Sequence, residues 1–158
     1  MIILDNVLSS EDLETIKNNS GEYNSEFQGL YQWNILKIFH PLIKTAAKYY
    51  SLHNCIGYEI WEQNNGRPPT WHYDRDEILA KQGILSFPIC TLVFYIEVDN
   101  LTNGNLLIEN GIQIKPITNR LVIFGPKVKH YVEEFSGTRH SLIINPWNKF
   151  LGEYPVSE

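Results

Sequence analysis

Trp71-His72-Tyr73-Asp74 places an imidazole and a carboxylate two residues apart, so in extended backbone both project from one face. Much later, Lys129-His130-Tyr131-Val132 supplies a second imidazole just after the turn-forming Gly125-Pro126. A short strand further on, Gly137-Thr138-Arg139-His140-Ser141 carries a guanidinium. Two neutral imidazoles and one carboxylate on one side of a first-row cation leave its opposite side open. That donor set, here His72, Asp74 and His130, suits an Fe(II) that must also bind O2. A bidentate 2-oxo acid could occupy two of the open positions and O2 the other. If the acid is a dicarboxylate such as 2-oxoglutarate, its far carboxylate needs a partner in the pocket. Arg139 suits that task, because its planar fork meets a carboxylate bidentately and stays charged. With five His and 18 Asp or Glu in the chain, one H-x-D is ordinary by itself. The strand-like sequence around every member, and the order H-x-D, long gap, H, R, give it weight.

The elements that must position these residues are short β-rich runs. After Asn54 the chain reads as strands over 57–62, 70–74, 89–97, 105–108, 112–115, 120–124, 129–133 and 139–145. Close, regular spacing of short strands favours a sandwich or barrel. Before Asn54 the pattern is helical. Ser9 is a good N-cap with Asp12 near the capping-box position, and Leu8 with Leu13 forms a hydrophobic staple. The first helix is expected over 10–18, ending near Gly21. A second apolar-periodic stretch runs from Trp33 to Leu52, with Pro41 marking a kink or break. The charged segment 75–86 reads as a lid or a short helix, and Met1-Ile2-Ile3-Leu4 as a strand.

The chain has 158 residues, which reads as one domain, with a helical part over 9–52 and a β core over 56–147. Thirteen Lys and Arg against 18 Asp and Glu give a net charge of −5. That balance argues against general affinity for nucleic acid or an anionic membrane. Two cysteines, Cys55 and Cys90, make no disulfide framework, and Cys90 reads as a small buried residue. No basic leader and long apolar run open the chain, and the run around Ile89–Ile96 is too short to span a bilayer. A soluble, cytoplasmic protein is expected.

From about Tyr58 to Trp147 the sequence resembles the 2-oxoglutarate/Fe(II)-dependent dioxygenases, and within them the prolyl 4-hydroxylase-like branch. The likeness lies in Trp71-His72-Tyr73-Asp74, Thr91-Leu92-Val93-Phe94-Tyr95-Ile96, Gly104-Asn105-Leu106-Leu107-Ile108-Glu109, Arg120-Leu121-Val122-Ile123-Phe124, His130-Tyr131-Val132 and Gly137-Thr138-Arg139-His140-Ser141-Leu142. Asp5-Asn6-Val7-Leu8-Ser9-Ser10-Glu11 also resembles the family's approach to its first helix. The resemblance implies a mainly β, α+β fold: a double-stranded β-helix (jelly roll, cupin-like) with N-terminal helices packed on one sheet. It implies Fe(II) on His72, Asp74 and His130, and 2-oxoglutarate held at its far end by Arg139 and Tyr95, with Ser141 and Thr91 on the same strand faces. O2 is the implied oxidant and ascorbate the reductant. The implied reaction converts 2-oxoglutarate to succinate and CO2 and hydroxylates an unactivated C–H. A prolyl residue of a peptide or protein is the leading substrate by resemblance, with a free amino acid or other small molecule close behind. Collagen-type members usually carry Lys where this chain has Arg139, which is closer to the cytosolic regulatory enzymes. The nucleic-acid demethylase branch carries a second Arg where this chain has Asn145.

Trp61, Arg67, Trp71, Tyr73, Arg75 and Asp76 flank the ligand segment and are the expected substrate rim, since aromatic residues with Arg are common at binding hot spots. Ile143 and Asn145 share parity with Arg139 and are expected near the pocket floor, whereas His140 is expected to face outward and do no chemistry. Two other readings stay open: a metal-containing β-sandwich that binds without catalysing, and a cupin-type enzyme that does not use 2-oxoglutarate. The first would normally close its metal shell with a further ligand, and the second has no need of Arg139.

Overall fold

The computed structural model describes residues 1–21, 37–64 and 70–154. Among these described residues, eight strands build two antiparallel sheets. They are β1 (Ile2–Asp5), β2 (Gly57–Gln63), β3 (Thr91–Asn103), β4 (Leu106–Ile108), β5 (Gln113–Ile114), β6 (Arg120–Phe124), β7 (His130–Val132) and β8 (Phe135–Trp147). The larger sheet has the order β1-β6-β3-β8-β2 and the smaller β5-β4-β7. This is the jelly roll expected from the sequence.

Thr91 to Ile96 are all buried, because both faces of β3 are covered. Leu92 and Phe94 face Leu8, Ile16, Phe39, Leu42 and Ala46 in a core between sheet and helices. Val93 and Tyr95 face Leu106, Ile108 and Ile114 in a second core between the sheets. A strand buried on both sides loses the alternation that marks a half-exposed one, so Thr91–Ile96 reads as one apolar run.

The helical side follows its local signals. The Ser9 hydroxyl accepts from the Asp12 amide at 3.1 Å and starts α1 (Ser10–Asn18). Leu8 is buried and Leu13 packs on the same core. The helical stretch expected over 33–52 is broken at Pro41, as one of the two expected outcomes there, and ends earlier than expected. A 3-10 turn, Lys37–Phe39, leads into α2 (His40–Ala46), with Pro41 in its first turn, where a missing N–H leaves no bond unmade. Tyr50 and Leu52 reach the core from turns after α2, so their spacing imitates helix periodicity. Residues 33–36 of that expectation lie outside the described residues.

Thr70–Asp74, expected as a strand, is extended backbone with a single bridge. The His72 amide donates to the His130 carbonyl at 3.0 Å and the His130 amide to the His72 carbonyl at 2.9 Å. β7 is only three residues long, and Trp71 and Tyr73 turn their rings onto Tyr131 and Phe87, so no ladder extends further. Within the charged segment, Asp76 caps α3 (Glu77–Ala80), accepting from the Ile78 and Leu79 amides at 3.0 and 3.1 Å. Its other carboxylate oxygen pairs with Lys149 and the Gly152 amide. Asp76 is therefore buried and occupied, which corrects its place on the substrate rim.

β3 and β8 run longer than their apolar cores and carry two register shifts, the first between Tyr95 and Glu97. Tyr95 lies opposite Ser141, while Val98 lies opposite Arg139. One extra residue in β3 reverses the inward and outward alternation beyond it. Val98 thus packs on the inter-sheet core, and Glu97 is exposed.

Candidate metal and co-substrate site

The register lines up the inward side chains in rows across the larger sheet. Glu59 lies opposite Asn145, and Thr91 opposite Phe124. Asn145 and Thr91 each sit one residue beyond the Leu92–Ile144 pair. Trp61, Ile143, Val93 and Val122 form the next row, and Gln63, Ser141 and Tyr95 the one after. A cavity of about 390 Å3 runs over these rows and under the His72 segment.

His72, Asp74 and His130 converge at one end of this cavity, each offering one ligand atom, all within 4.8 Å of one another. Asp74 Oδ1 is 4.0 Å from His72 Nε2 and 3.8 Å from His130 Nε2. Those gaps are too wide for a shared proton. Both imidazoles are turned by their other nitrogen, His72 Nδ1 to the Thr70 carbonyl at 2.8 Å and His130 Nδ1 to the Val128 carbonyl at 2.9 Å. A carbonyl can only accept, so Nδ1 carries the hydrogen and Nε2 keeps its lone pair for a cation. Burial pushes the His130 pKa down, favouring the neutral, ligating form. Phe124 packs edge-on against His130, and the Thr91 hydroxyl donates to Asp74 Oδ2 at 2.7 Å. His130 and Asp74 are nearly covered, but the His72 side chain is 52% exposed, so the outer hemisphere is open. Two neutral imidazoles and a carboxylate held this way fit Fe(II).

Arg139 lies further along β8 and is 1% exposed. Nε donates to the Gly104 carbonyl at 2.9 Å, Nη1 to Ser141 Oγ at 3.2 Å and Nη2 to Tyr95 Oη at 3.5 Å. No carboxylate among the described residues forms an ion pair with it. Burial lowers its pKa and raises that of Tyr95. A buried guanidinium without an anion is costly unless something brings one. A dicarboxylic 2-oxo acid lying between the metal ligands and Arg139 fits that need.

Of the co-substrate residues expected from the sequence, Tyr95 and Ser141 touch Arg139, whereas Thr91 orients Asp74 instead. Of the expected rim, Trp61, Tyr73 and Arg75 line the cavity. Trp71 does not; it stacks edge-on against Tyr131 and is 43% exposed. Arg67 lies outside the described residues. His140 points away from the cavity but is not idle, pairing with Glu62 at 3.0 Å. Sequence reasoning missed Glu59, which lines the cavity beside Asn145. Its parity with Trp61 on β2 was the available signal.

No protein-family model matches the chain, and no curated protein matches it in sequence. Solved structures do match in fold. A Pseudomonas putida prolyl-4-hydroxylase superposes with a TM-score of 0.65 at 15% identity, covering 94% of this chain and 85% of that one. The viral collagen prolyl hydroxylase of Paramecium bursaria Chlorella virus-1 gives 0.61 at 14% identity, over 92% and 88%. A Trichoplax adhaerens prolyl hydroxylase, solved with a hypoxia-inducible-factor oxygen degradation domain peptide, gives 0.61 at 15% identity, over 93% and 83%. The chain therefore has the fold of these prolyl hydroxylases. On that fold it carries a His-Asp-His cluster with the donor set of a non-haem iron site.

Proposed function

We propose that this protein is an Fe(II)- and 2-oxoglutarate-dependent dioxygenase that hydroxylates an unactivated C–H. One observation carries the reading: a single cavity is lined by three converging metal-type ligands and by a buried guanidinium that meets no carboxylate among the described residues. Iron bound to His72, Asp74 and His130, with 2-oxoglutarate and O2, supplies the oxidation that yields succinate, CO2 and the hydroxylated product. The chain's own groups bind and orient. Thr91 fixes the rotation of Asp74, the Thr70 and Val128 carbonyls fix the two rings, and Tyr95 and Ser141 align the guanidinium of Arg139. The half-exposed side of the ligand cluster is where the substrate reaches the cavity, walled by Trp61, Tyr73 and Arg75. A prolyl residue of a peptide is the leading substrate, supported by the fold's resemblance to three prolyl hydroxylases, one of them seen with a peptide.

The test is O2 uptake and succinate formation with Fe(II), ascorbate and 2-oxoglutarate, with and without proline-containing peptides. His130→Ala and Asp74→Ala are expected to lose metal binding and succinate formation together. Arg139→Met is expected to keep metal but lose the thermal stabilisation given by 2-oxoglutarate, which at 100 times Kd amounts to about 2.7 kcal/mol. Stoichiometric metal without any 2-oxoglutarate-dependent O2 uptake would instead favour a non-catalytic binding module.

A further inference from the structure

Residues 70–74 carry two of the three metal-type ligands and lie outside both sheets, so other contacts must fix their position. The His72–His130 bridge holds one end. Asp76 holds the other: its amide donates to the Ser86 carbonyl at 2.8 Å, and its Oδ1 caps α3. Its Oδ2 accepts from Lys149 Nζ and, at 2.7 Å, from the Gly152 amide, both in the turn that follows β8. The Asp76 side chain is 0% exposed and that of Lys149 only 7%. The Lys149 ammonium also donates to the Phe150 carbonyl at 3.2 Å and lies 5.2 Å from the centre of the Trp147 ring. Trp147 in turn gives its indole N–H to Glu59, in the cavity wall, at 3.2 Å.

Replacing a buried ion pair by apolar groups of similar volume is often neutral or stabilising, so stability alone does not account for this one. Its place in the chain does. Only Arg75 separates Asp76 from Asp74, and planar peptide units leave few soft torsions between them. Arg75 and Glu77, on either side of Asp76, both line the cavity and join through Nε and Oε1 at 3.0 Å. Whatever displaces Asp76 therefore displaces a metal-type ligand and two wall residues with it. Lys149 does not itself line the cavity and reaches it only through these partners. We propose that Lys149 is a positioning residue: through Asp76 it holds Asp74 at the metal and Arg75 and Glu77 at the cavity wall. The proposal rests on the metal site of the hydroxylase reading and extends that site to the turn after β8.

The experiment titrates Co(II) into the metal-free protein against a chelating dye and records the visible absorption of the bound ion, which reports its coordination geometry. Both are read well below the melting temperature of each variant, where lost stability by itself leaves the apparent affinity unchanged. Lys149→Met is expected to weaken Co(II) binding roughly ten-fold, the lower end of what outer partners of a metal ligand give, and to alter the spectrum. That variant strands the buried charge of Asp76 and is strongly destabilised. It is therefore paired with the double variant Asp76→Asn, Lys149→Met, which buries no unpaired charge. Asn caps a helix as well as Asp does, so α3 is kept, while the Gly152 amide meets an NH2 in place of an acceptor. The double variant is expected to fold and still to show the weaker affinity and the altered spectrum. A Co(II) affinity or spectrum equal to the wild type's, or a double variant that does not fold, overturns the proposal and leaves Lys149 a structural residue. A wild-type protein that takes up no Co(II) overturns it together with the hydroxylase reading. Co(II) bound by the wild type without 2-oxoglutarate-dependent O2 uptake in the iron form removes the hydroxylase reading alone.

Discussion

At the scale of single residues, the site is built by second partners as much as by ligands. Asp74 is held by one hydroxyl, and each imidazole by one carbonyl. Removing such a partner leaves the ligand present but poorly aimed. Thr91→Val keeps the side-chain shape and deletes the donor to Asp74 Oδ2. Metal affinity is expected to fall roughly 10- to 100-fold with little change in thermal stability. Competition between the protein and a metal-sensitive chelating dye measures this; an affinity equal to that of the wild type would show that Asp74 needs no such support. The residue scale is also where the sequence was most legible, because H-x-D, a later His and an Arg are chemistry written in side-chain types. Glu59 and Asn145 were harder to assign. Asn145 could be placed near the pocket floor by parity, but nothing in its neighbourhood says that its carbonyl goes unmatched. Glu59 looks like any charged residue on a strand until β8 and the His72 segment close over it.

At the scale of elements, the boundaries that sequence could place were those set by local chemistry. Arg120–Phe124 forms β6 over its expected range, and Ser9 starts α1. The ends of β3 and β8 escaped because 98–103 and 135–138 are rich in Asn, Ser, Gly and Thr. They are strands only because they pair with each other. That pairing depends on Gly137. Its φ is +98°, and a Cβ there would lie 2.2 Å from the Asn100 carbonyl oxygen. Gly137→Ala is expected to cost about 3 kcal/mol or more, adding backbone overlap to the left-handed penalty. Gly111, at φ +89° with nothing within 4 Å of an added methyl, should cost only about 1–2 kcal/mol when changed to Ala. Thermal melts of the two variants compare them directly, and equal losses would mean that the β3–β8 crossing yields more easily than its geometry indicates.

At the scale of the whole molecule, no helix among the described residues is long and apolar enough to cross a membrane. Two buried acids set opposite pH trends. Asp76, capping α3 and bound to Lys149 and the Gly152 amide, has its pKa lowered despite burial, so it stabilises the fold above the usual carboxylate range. Glu59 is pushed up from 4.5 to about 7, first by burial and then by the charges of Asp74, Asp76 and Glu77. The folded protein therefore keeps a proton that the unfolded chain releases. The stability this gives is fully present below pH 4.5 and is lost as pH rises to about 7. Glu59→Gln cannot lose it. In metal-free protein the melting temperature of the variant is expected to gain on that of the wild type across this interval and to run parallel above it. Curves parallel throughout would place the Glu59 carboxyl in a wetter setting than its burial describes.

The irregularity after Tyr95 reaches beyond strand geometry. Had β3 continued without its extra residue, the Tyr95–Ser141 alignment would have set Glu97 across from Arg139. An acid supplied by the chain itself would then sit where the proposed function puts a diffusing diacid, permanently and at no loss of translational freedom, and no soluble competitor could displace it cheaply. A single inserted amino acid thereby sends the resident counter-ion out to the solvent and leaves the guanidinium vacant for the visitor that the proposed function requires.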